Sequence, residues 1–509
     1  MNLLEEEATV RPPSFLDALI PVIVLITLIA ISIALFGIDA TEGPLQVALL
    51  MSAATAALFA RKNGHAFAQI SDAAIGGVST AMGAIFILFA VGALIGTWNM
   101  SGTTATVVYY GIKILQPEFF YPAVAILCAA IGMVTGSSWT TAGTVGVAFI
   151  AMAPVLGVST EVTAGAVISG AYLGDKMTPL SETTILVPKL VGGVDLYQHI
   201  RALMWTTVPA FAISVAVFVV MALVADVSAV PGQKDAALDA IDSAFVISAI
   251  NLLPLILLVV LCLRRFPPFM SIMAAALFGG IMAAFTQHDA IRAFADDPDL
   301  SYFFASIKAI YASMATGFIL NTGVEQVDSL FSRGGMSSML TTVWLILGAL
   351  SFAAIMEHAG FLNRLIEPII ERATTTGRLV IAVAGTAIGL NIIAADQYIA
   401  IVMPSRIYRL EFQRRRIQPQ VLSRTVDDTG TVTSVLIPWN SCGAYMTGTL
   451  GVSTFNYFPF CFFNILNPII SIAYGLTGFQ VKSLPPDDAL TGAQQEPKGL
   501  RPLTEGEGA

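Results

Sequence analysis

Charge is scarce in this chain of 509 residues. Only 12% are Asp, Glu, Lys or Arg, against 56% hydrophobic, whereas soluble globular proteins carry about 25% charged residues. That scarcity excludes a soluble domain. Cysteine and histidine are scarcer still, with four of each. Cys128, Cys262, Cys442 and Cys461 show neither a metal-ligand spacing nor a disulfide framework, and read as small packing residues. His65, His199, His288 and His358 never stand at HxxxH spacing and lie near the ends of apolar runs, as interfacial polar residues do. Alternation of polar and apolar residues at period two is missing, which argues against a transmembrane β-barrel. HExxH, GxSxG and GxxxxGK are missing too, so nothing supports a metalloprotease, a nucleophile elbow or an ATP-binding loop. The expectation is a protein that is no enzyme, needs no cofactor and draws on an ion gradient.

What the chain does have is a succession of apolar runs. A helix crosses hydrocarbon with roughly 20 mostly apolar residues, and such windows fall near 15–38, 43–61, 79–98, 119–136, 160–187, 202–225, 244–263, 268–286, 303–320, 338–357, 378–393, 432–450 and 454–478. They predict an all-α polytopic membrane protein of about 11–13 transmembrane helices. The acidic leader, 1–14, precedes a run too long for a cleaved signal peptide, so that span is expected to be retained.

The net charge of −9 collects in loops, among them Asp226, Asp235, Asp239 and Asp242, and Asp289, Asp296, Asp297 and Asp299. Arg264, Arg265 and the run Arg406, Arg409, Arg414, Arg415, Arg416 and Arg424 read as cytoplasmic by the positive-inside bias. Topology, not nucleic acid, explains them. The C-terminus is then cytoplasmic and the N-terminus outside, although Arg61 and Lys62 run against the latter. The Pro-, Gly- and Glu-rich tail, 479–509, is expected to be disordered. The expected partners are membrane lipid and a small cation; a homodimer is left open.

Internal matches divide the chain. Gly76 and Gly77 answer to Gly334 and Gly335, and Gly102 to Gly360, all 258 residues apart; Gly136, Asp175, Thr178 and Ser181 answer to Gly389, Asp428, Thr431 and Ser434, all 253 apart. An odd number of crossings separates the copies, which predicts two inverted-topology repeats with re-entrant hairpins and broken helices. The expected segments are 15–225 for the first repeat, 226–267 for a connector with one span, and 268–478 for the second repeat.

The polar residues inside the apolar runs carry the chemistry. "GDKMTPLSETT", 174–184, breaks a span at Pro179, and a broken helix inside a membrane is tolerated only where it is buried in protein or lines a cavity. Asp175, Thr178, Ser181 and Glu182 there offer hard oxygen ligands, and "VDDTGTVTS", 426–434, offers Asp428, Thr431 and Ser434. An ionisable group within the bilayer marks function by default; an ion pair of Asp175 with Lys176 or Lys189, or of Asp428 with Arg424, is the structural alternative. Two further interruptions, "GSSWTTAGT" at 136–144 and "GLNIIAADQY" at 389–398, precede short apolar arms and read as hairpin tips bearing Ser137, Ser138 and Thr140, and Asn391 and Asp396. Asp175, Thr178, Ser181 and Asp428 are the expected Na+ ligands.

These same segments, with "SRGGMSSML" at 332–340, resemble the NhaC-type Na+/H+ antiporter family. The resemblance implies inverted repeats, a plasma-membrane location and Na+-coupled exchange. Glu182 stands where the family pattern has aspartate and Ile185 where it has asparagine. The expected mechanism is competition of Na+ and H+ for buried carboxylates. The alternative keeps the coupling but moves an organic anion such as malate or lactate, with Lys176 as counter-charge.

Overall fold

The computed structural model describes residues 10–224, 233–323 and 325–484. The tail from 485 onward and most of the leader lie outside the described residues, as does the start of the connector at 226–232. Among the described residues the regular structure is helical, apart from one isolated antiparallel bridge between Ile417 and Ser483. Nine of these helices are long and apolar enough to cross a membrane, or up to eleven if two bent pairs each count as a span. The chain is a multi-pass membrane protein.

Three expected windows are not such helices. The window 160–187 splits into Thr160–Lys176 and Glu182–Val191, 303–320 holds only the 15-residue helix Tyr302–Thr316, and 432–450 gives a turn followed by Ser441–Leu450. A sum over apolar residues is blind to the prolines and glycines that interrupt a helix. Conversely, the arm after the first tip is longer than its apolar stretch suggested: Ser138–Val155 is helical over 18 residues, through a π turn at Ala142–Gly146.

Ten helices build the interior: α1 (Phe120–Thr135), α2 (Ser138–Val155), α3 (Thr160–Lys176), α4 (Glu182–Val191), α5 (Leu196–Val224), α6 (Thr376–Ile393), α7 (Gln397–Arg414), α8 (Pro419–Val426), α9 (Ser441–Leu450) and α10 (Phe462–Thr477). Every residue of α3 from Val162 to Lys176 is buried, as expected of a helix enclosed on all sides. By contrast, Phe15–Phe36 leaves Leu16, Ile23, Ile26 and Leu35 exposed as a lipid-facing surface. The α1–α3 contact depends on glycine. A Cβ on Gly174 would stand 2.6 Å from both the Ala129 carbonyl oxygen and the Gly132 Cα. Gly170 and Gly174, four residues apart, thus let the two backbones touch, as small residues do in membrane helices.

Helix ends recur at a nearly constant spacing. Gly102 (φ 71°, ψ 7°) and Gly360 (φ 72°, ψ 10°) are left-handed N-caps 258 residues apart. After α1 the chain turns through Gly136 at φ 70°, and after α6 through Ala395 at φ 52°. The next residue, Ser137 or Asp396 (396 − 137 = 259), is extended, and its side chain accepts the N–H of Thr140 or Ile399 respectively. The breaks then hold Pro179 and Pro438, and the ten-residue helices α4 and α9 begin at Glu182 and Ser441, again 259 apart.

This corrects the expected slip to 253. Gly389 lies inside α6, whereas Gly136 ends α1. The first glycine pairing fails as well, since Gly76 and Gly77 are helical while Gly334 and Gly335 have φ of 98° and 83°. Glycine, serine and threonine recur often enough in membrane helices to produce identities by chance, whereas helix ends and breaks do not drift. By helix ends, Asp175 corresponds to Ser434, and Asp428 corresponds to Ser169.

Candidate functional site

Asp175 occupies the last turn of α3, 9% exposed, where the close α1 contact brings it to the break after Gly136. One carboxylate oxygen, Oδ2, accepts both the Ser138 backbone N–H at 3.1 Å and the Ser138 hydroxyl at 2.8 Å. Ser138 opens α2, so the carboxylate meets unpaired N–H groups and the positive end of a helix dipole. The Ser181 hydroxyl stands beside the same carboxyl and is 3.0 Å from that of Thr183. Ser137 caps the helix by accepting the Thr140 N–H at 3.2 Å, and Thr178 accepts the Leu180 N–H at 3.3 Å across the break. Asp175, Ser138 and Ser181 are therefore brought together, with Ser137, Thr140 and Thr178 around them. Among the described residues no cation pairs with Asp175.

The other half repeats this contact with different chemistry. Ser434, the counterpart of Asp175, donates to Gln397 Oε1 at 2.9 Å, and Gln397 is the counterpart of Ser138. Asn391 donates to the Gly430 carbonyl at 2.7 Å and to Thr433 Oγ1 at 3.0 Å, and accepts from Asn440, so it braces the break. Asp396 caps α7 and meets the Ser441 hydroxyl at 3.4 Å. Thr431 is buried, with its hydroxyl beside the Asp427 carboxyl.

Asp428 sits elsewhere, in a π turn, Asp427–Thr431, that continues α8; such turns cluster at functional sites. Its Oδ1 is paired with Lys176, which is fully buried and also donates to Asn467 Oδ1 at 2.7 Å. Thr206 Oγ1 lies 3.0 Å from the same carboxylate oxygen. Of the three ion pairs weighed for the buried aspartates none forms: Lys176 bridges to Asp428 from the other half, Lys189 is exposed and makes no salt bridge to Asp175, and Arg424 is held over the Tyr474 ring and near the Gln480 carbonyl. The expected Na+ ligand Asp428 is thus already met by a fixed cation.

Sequence reasoning missed the neighbour of this pair. His199, on the first turn of α5, is fully buried, with Nε2 3.1 Å from Asp427 Oδ2 and Nδ1 3.1 Å from Ser423 Oγ. It is enclosed by protein rather than exposed, and a single histidine near the start of an apolar run gave no sign of that. Its partners lie more than 220 positions away in sequence. The buried interior around these elements holds Asp175, Asp427 and Asp428 against Lys176 and Arg424. Part-buried Asp396, at the α7 cap, stands outside this enclosed set; with His199 neutral, the enclosed set alone is short of one positive charge.

Glu182, in contrast, is exposed and accepts a hydrogen bond from Tyr398 at 2.6 Å. This joins the tip of one half to the short helix of the other. The reverse contact also exists: Trp139, the counterpart of Tyr398, stacks on Tyr445 of α9 at 4.0 Å between ring centroids, with the Tyr445 hydroxyl donating to the Trp139 carbonyl at 2.8 Å.

A family model described as the Na+/H+ antiporter family matches residues 14–190 and 171–479. The chain is 37% identical over 438 residues to the Na(+)/H(+) antiporter NhaC of Alkalihalophilus pseudofirmus, covering 86% of this chain and 90% of that protein. It is 32% identical to the malate-2H(+)/Na(+)-lactate antiporter of Bacillus subtilis, over 92% and 96% of the two chains. It is also 32% identical to the arginine/ornithine antiporter ArcD of Halobacterium salinarum, over 94% and 95%.

Proposed function

The chain belongs to the Na+/H+ antiporter family, and we propose that it exchanges Na+ for H+ across the cell membrane, with the cation bound at Asp175. The observation that carries this reading is a buried carboxylate with no fixed cation, set in an interior short of one positive charge. An uncompensated charge out of water costs several kcal/mol. Either Na+ or a proton restores the balance, and together they overfill it. Occupied by one of them the site crosses; empty and charged it does not, since a bare carboxylate in hydrocarbon is too costly. The hydroxyls of Ser138 and Ser181, with Ser137, Thr140 and Thr178 near them, suit a hard cation stripped of part of its water.

The reading includes two repeats inserted in opposite directions, whose relative rocking opens the site to each side in turn. It also places the C-terminus and the Arg406–Arg416 run in the cytoplasm.

The relatives named for malate, lactate and arginine keep an organic cargo in view. Lys176 weighs against an organic anion, because its ammonium is already shared between Asp428 and Asn467. Reconstituted vesicles decide between the two. With a preset pH difference, addition of Na+ alone is expected to dissipate it; dissipation only when malate, lactate or an amino acid is supplied would reject Na+/H+ exchange.

A further inference from the structure

We infer that His199 holds the proton that is exchanged for the cation at Asp175. This rests on the exchange reading above and names the second binding place within it. The imidazole is enclosed, with a carboxylate at one ring nitrogen and a hydroxyl at the other. That hydroxyl is what makes both charge states tolerable. Ser423 Oγ also lies 3.2 Å from the Gln420 carbonyl. When the ring is neutral, with its hydrogen on Nε2 toward Asp427, the Ser423 hydroxyl donates to Nδ1. When the ring is protonated, the hydroxyl turns to the Gln420 carbonyl and accepts from Nδ1–H. No heavy atom has to move, and neither state leaves a ring nitrogen without a partner.

Charge fixes the relation to Asp175. The ionisable groups brought by the elements around α5 are Tyr121 and Cys128 from α1 with Glu118 from the turn just before it, Glu161, Tyr172, Asp175 and Lys176 from α3, Lys189 and exposed Glu182 from α4, Arg424 from α8, Asp427 and Asp428 from the π turn, and Tyr474 from α10, with Tyr197 and Arg201 on α5 itself. Within the enclosed set, one proton on His199 supplies the missing positive charge, as Na+ at Asp175 does. The two therefore exclude each other by electrostatics without sharing a ligand. The set also belongs to one side of the repeat: the positions 259 residues from His199, Lys176, Asp427, Asp428 and Arg424 are Phe458, Val435, Ile168, Ser169 and Gly165. The turn of α8 that carries Ser423 lies near the surface, since the Gln420 side-chain Nε2 bonds the exposed Gln198 at 3.1 Å. One proton passes from water through the Ser423 hydroxyl to the Nδ1 lone pair and returns when the cation binds.

The test uses the full-length protein in liposomes, reading Na+-driven proton flux and 22Na+/Na+ exchange over a pH series. His199→Gln is expected to lower proton flux at least about tenfold while 22Na+/Na+ exchange stays within about threefold of wild type. The rise of the Na+ KM on acidification should vanish with it. Wild-type flux with an unchanged pH dependence, or loss of both fluxes from a folded variant, would overturn the inference. Ser423→Ala retains the imidazole and removes its adaptable partner; it is expected to move the midpoint of the pH profile of proton flux, and an unmoved midpoint counts against the proposal even where His199→Gln does not fold. A wild type that exchanges 22Na+ but drives no proton flux would instead reject Na+/H+ exchange itself.

Discussion

Ser138 donates twice to a single oxygen of Asp175, from its backbone N–H and from its hydroxyl. The amide would survive any substitution except proline, so the hydroxyl can be tested alone. A hydrogen bond to a charged group contributes about 1.5–3 kcal/mol, and about 1.4 kcal/mol is tenfold in an equilibrium constant. Ser138→Ala is therefore expected to raise the Na+ concentration for half-maximal flux about tenfold, read from the Na+ dependence of dye dequenching in vesicles. An unchanged half-maximum would mean that the hydroxyl does nothing for the cation.

Asp175→Asn keeps the shape of the side chain and removes its charge. Without the third carboxylate the interior is balanced with no cargo aboard, so both transport and Na+-dependent thermal stabilisation in detergent should disappear. The folded protein should be at least as stable as wild type in Na+-free buffer. Retained Na+ stabilisation in this variant would move the cation site away from α3.

For Asp428 and Lys176 the expectation differs in kind. Removing one partner of a buried pair leaves the other uncompensated, which costs about 3–5 kcal/mol. Asp428→Asn and Lys176→Met should each lower the unfolding midpoint, and the double variant should recover much of the loss. Additive losses in a double-mutant cycle would show that the pair is not coupled.

Gly174→Val is expected to destabilise by about 1–3 kcal/mol through overpacking against Ala129 and Gly132, and to lower transport as well, because Asp175 is the next residue. Thermal unfolding and Na+ flux on the same preparation check both effects. A stable, inactive Gly174→Val protein would show that displacement of Asp175 outweighs the packing.

Much of this was written in the sequence in legible form. Proline announces the interruptions at 177–181 and 437–440, and a cluster of polar residues inside an apolar run gives Asp175 its setting. The repeat was legible as a repeat but not in its spacing, because chance identities among small residues at 253 competed with helix ends at 258 and 259. Asp428 looked like the twin of Asp175. It is instead the counter-ion of Lys176, a fact set by packing between positions 252 residues apart. His199 was illegible for the same reason: nothing local to "YQHIR" encodes a carboxylate and a hydroxyl arriving from α8 and its π turn.

The crossed tips have a mechanical consequence. Trp139 and Tyr398 each lean on the short helix of the opposite half, one through a stacked ring and the other through a hydrogen bond to Glu182. Offset stacking keeps much of its attraction as rings slide, whereas a hydrogen bond weakens steeply once its geometry is lost. Were one half to shear against the other, the acidic fastener that solvent can reach would give way before the aromatic one, whose stacked rings would still hold after its own Tyr445–Trp139 hydrogen bond had gone.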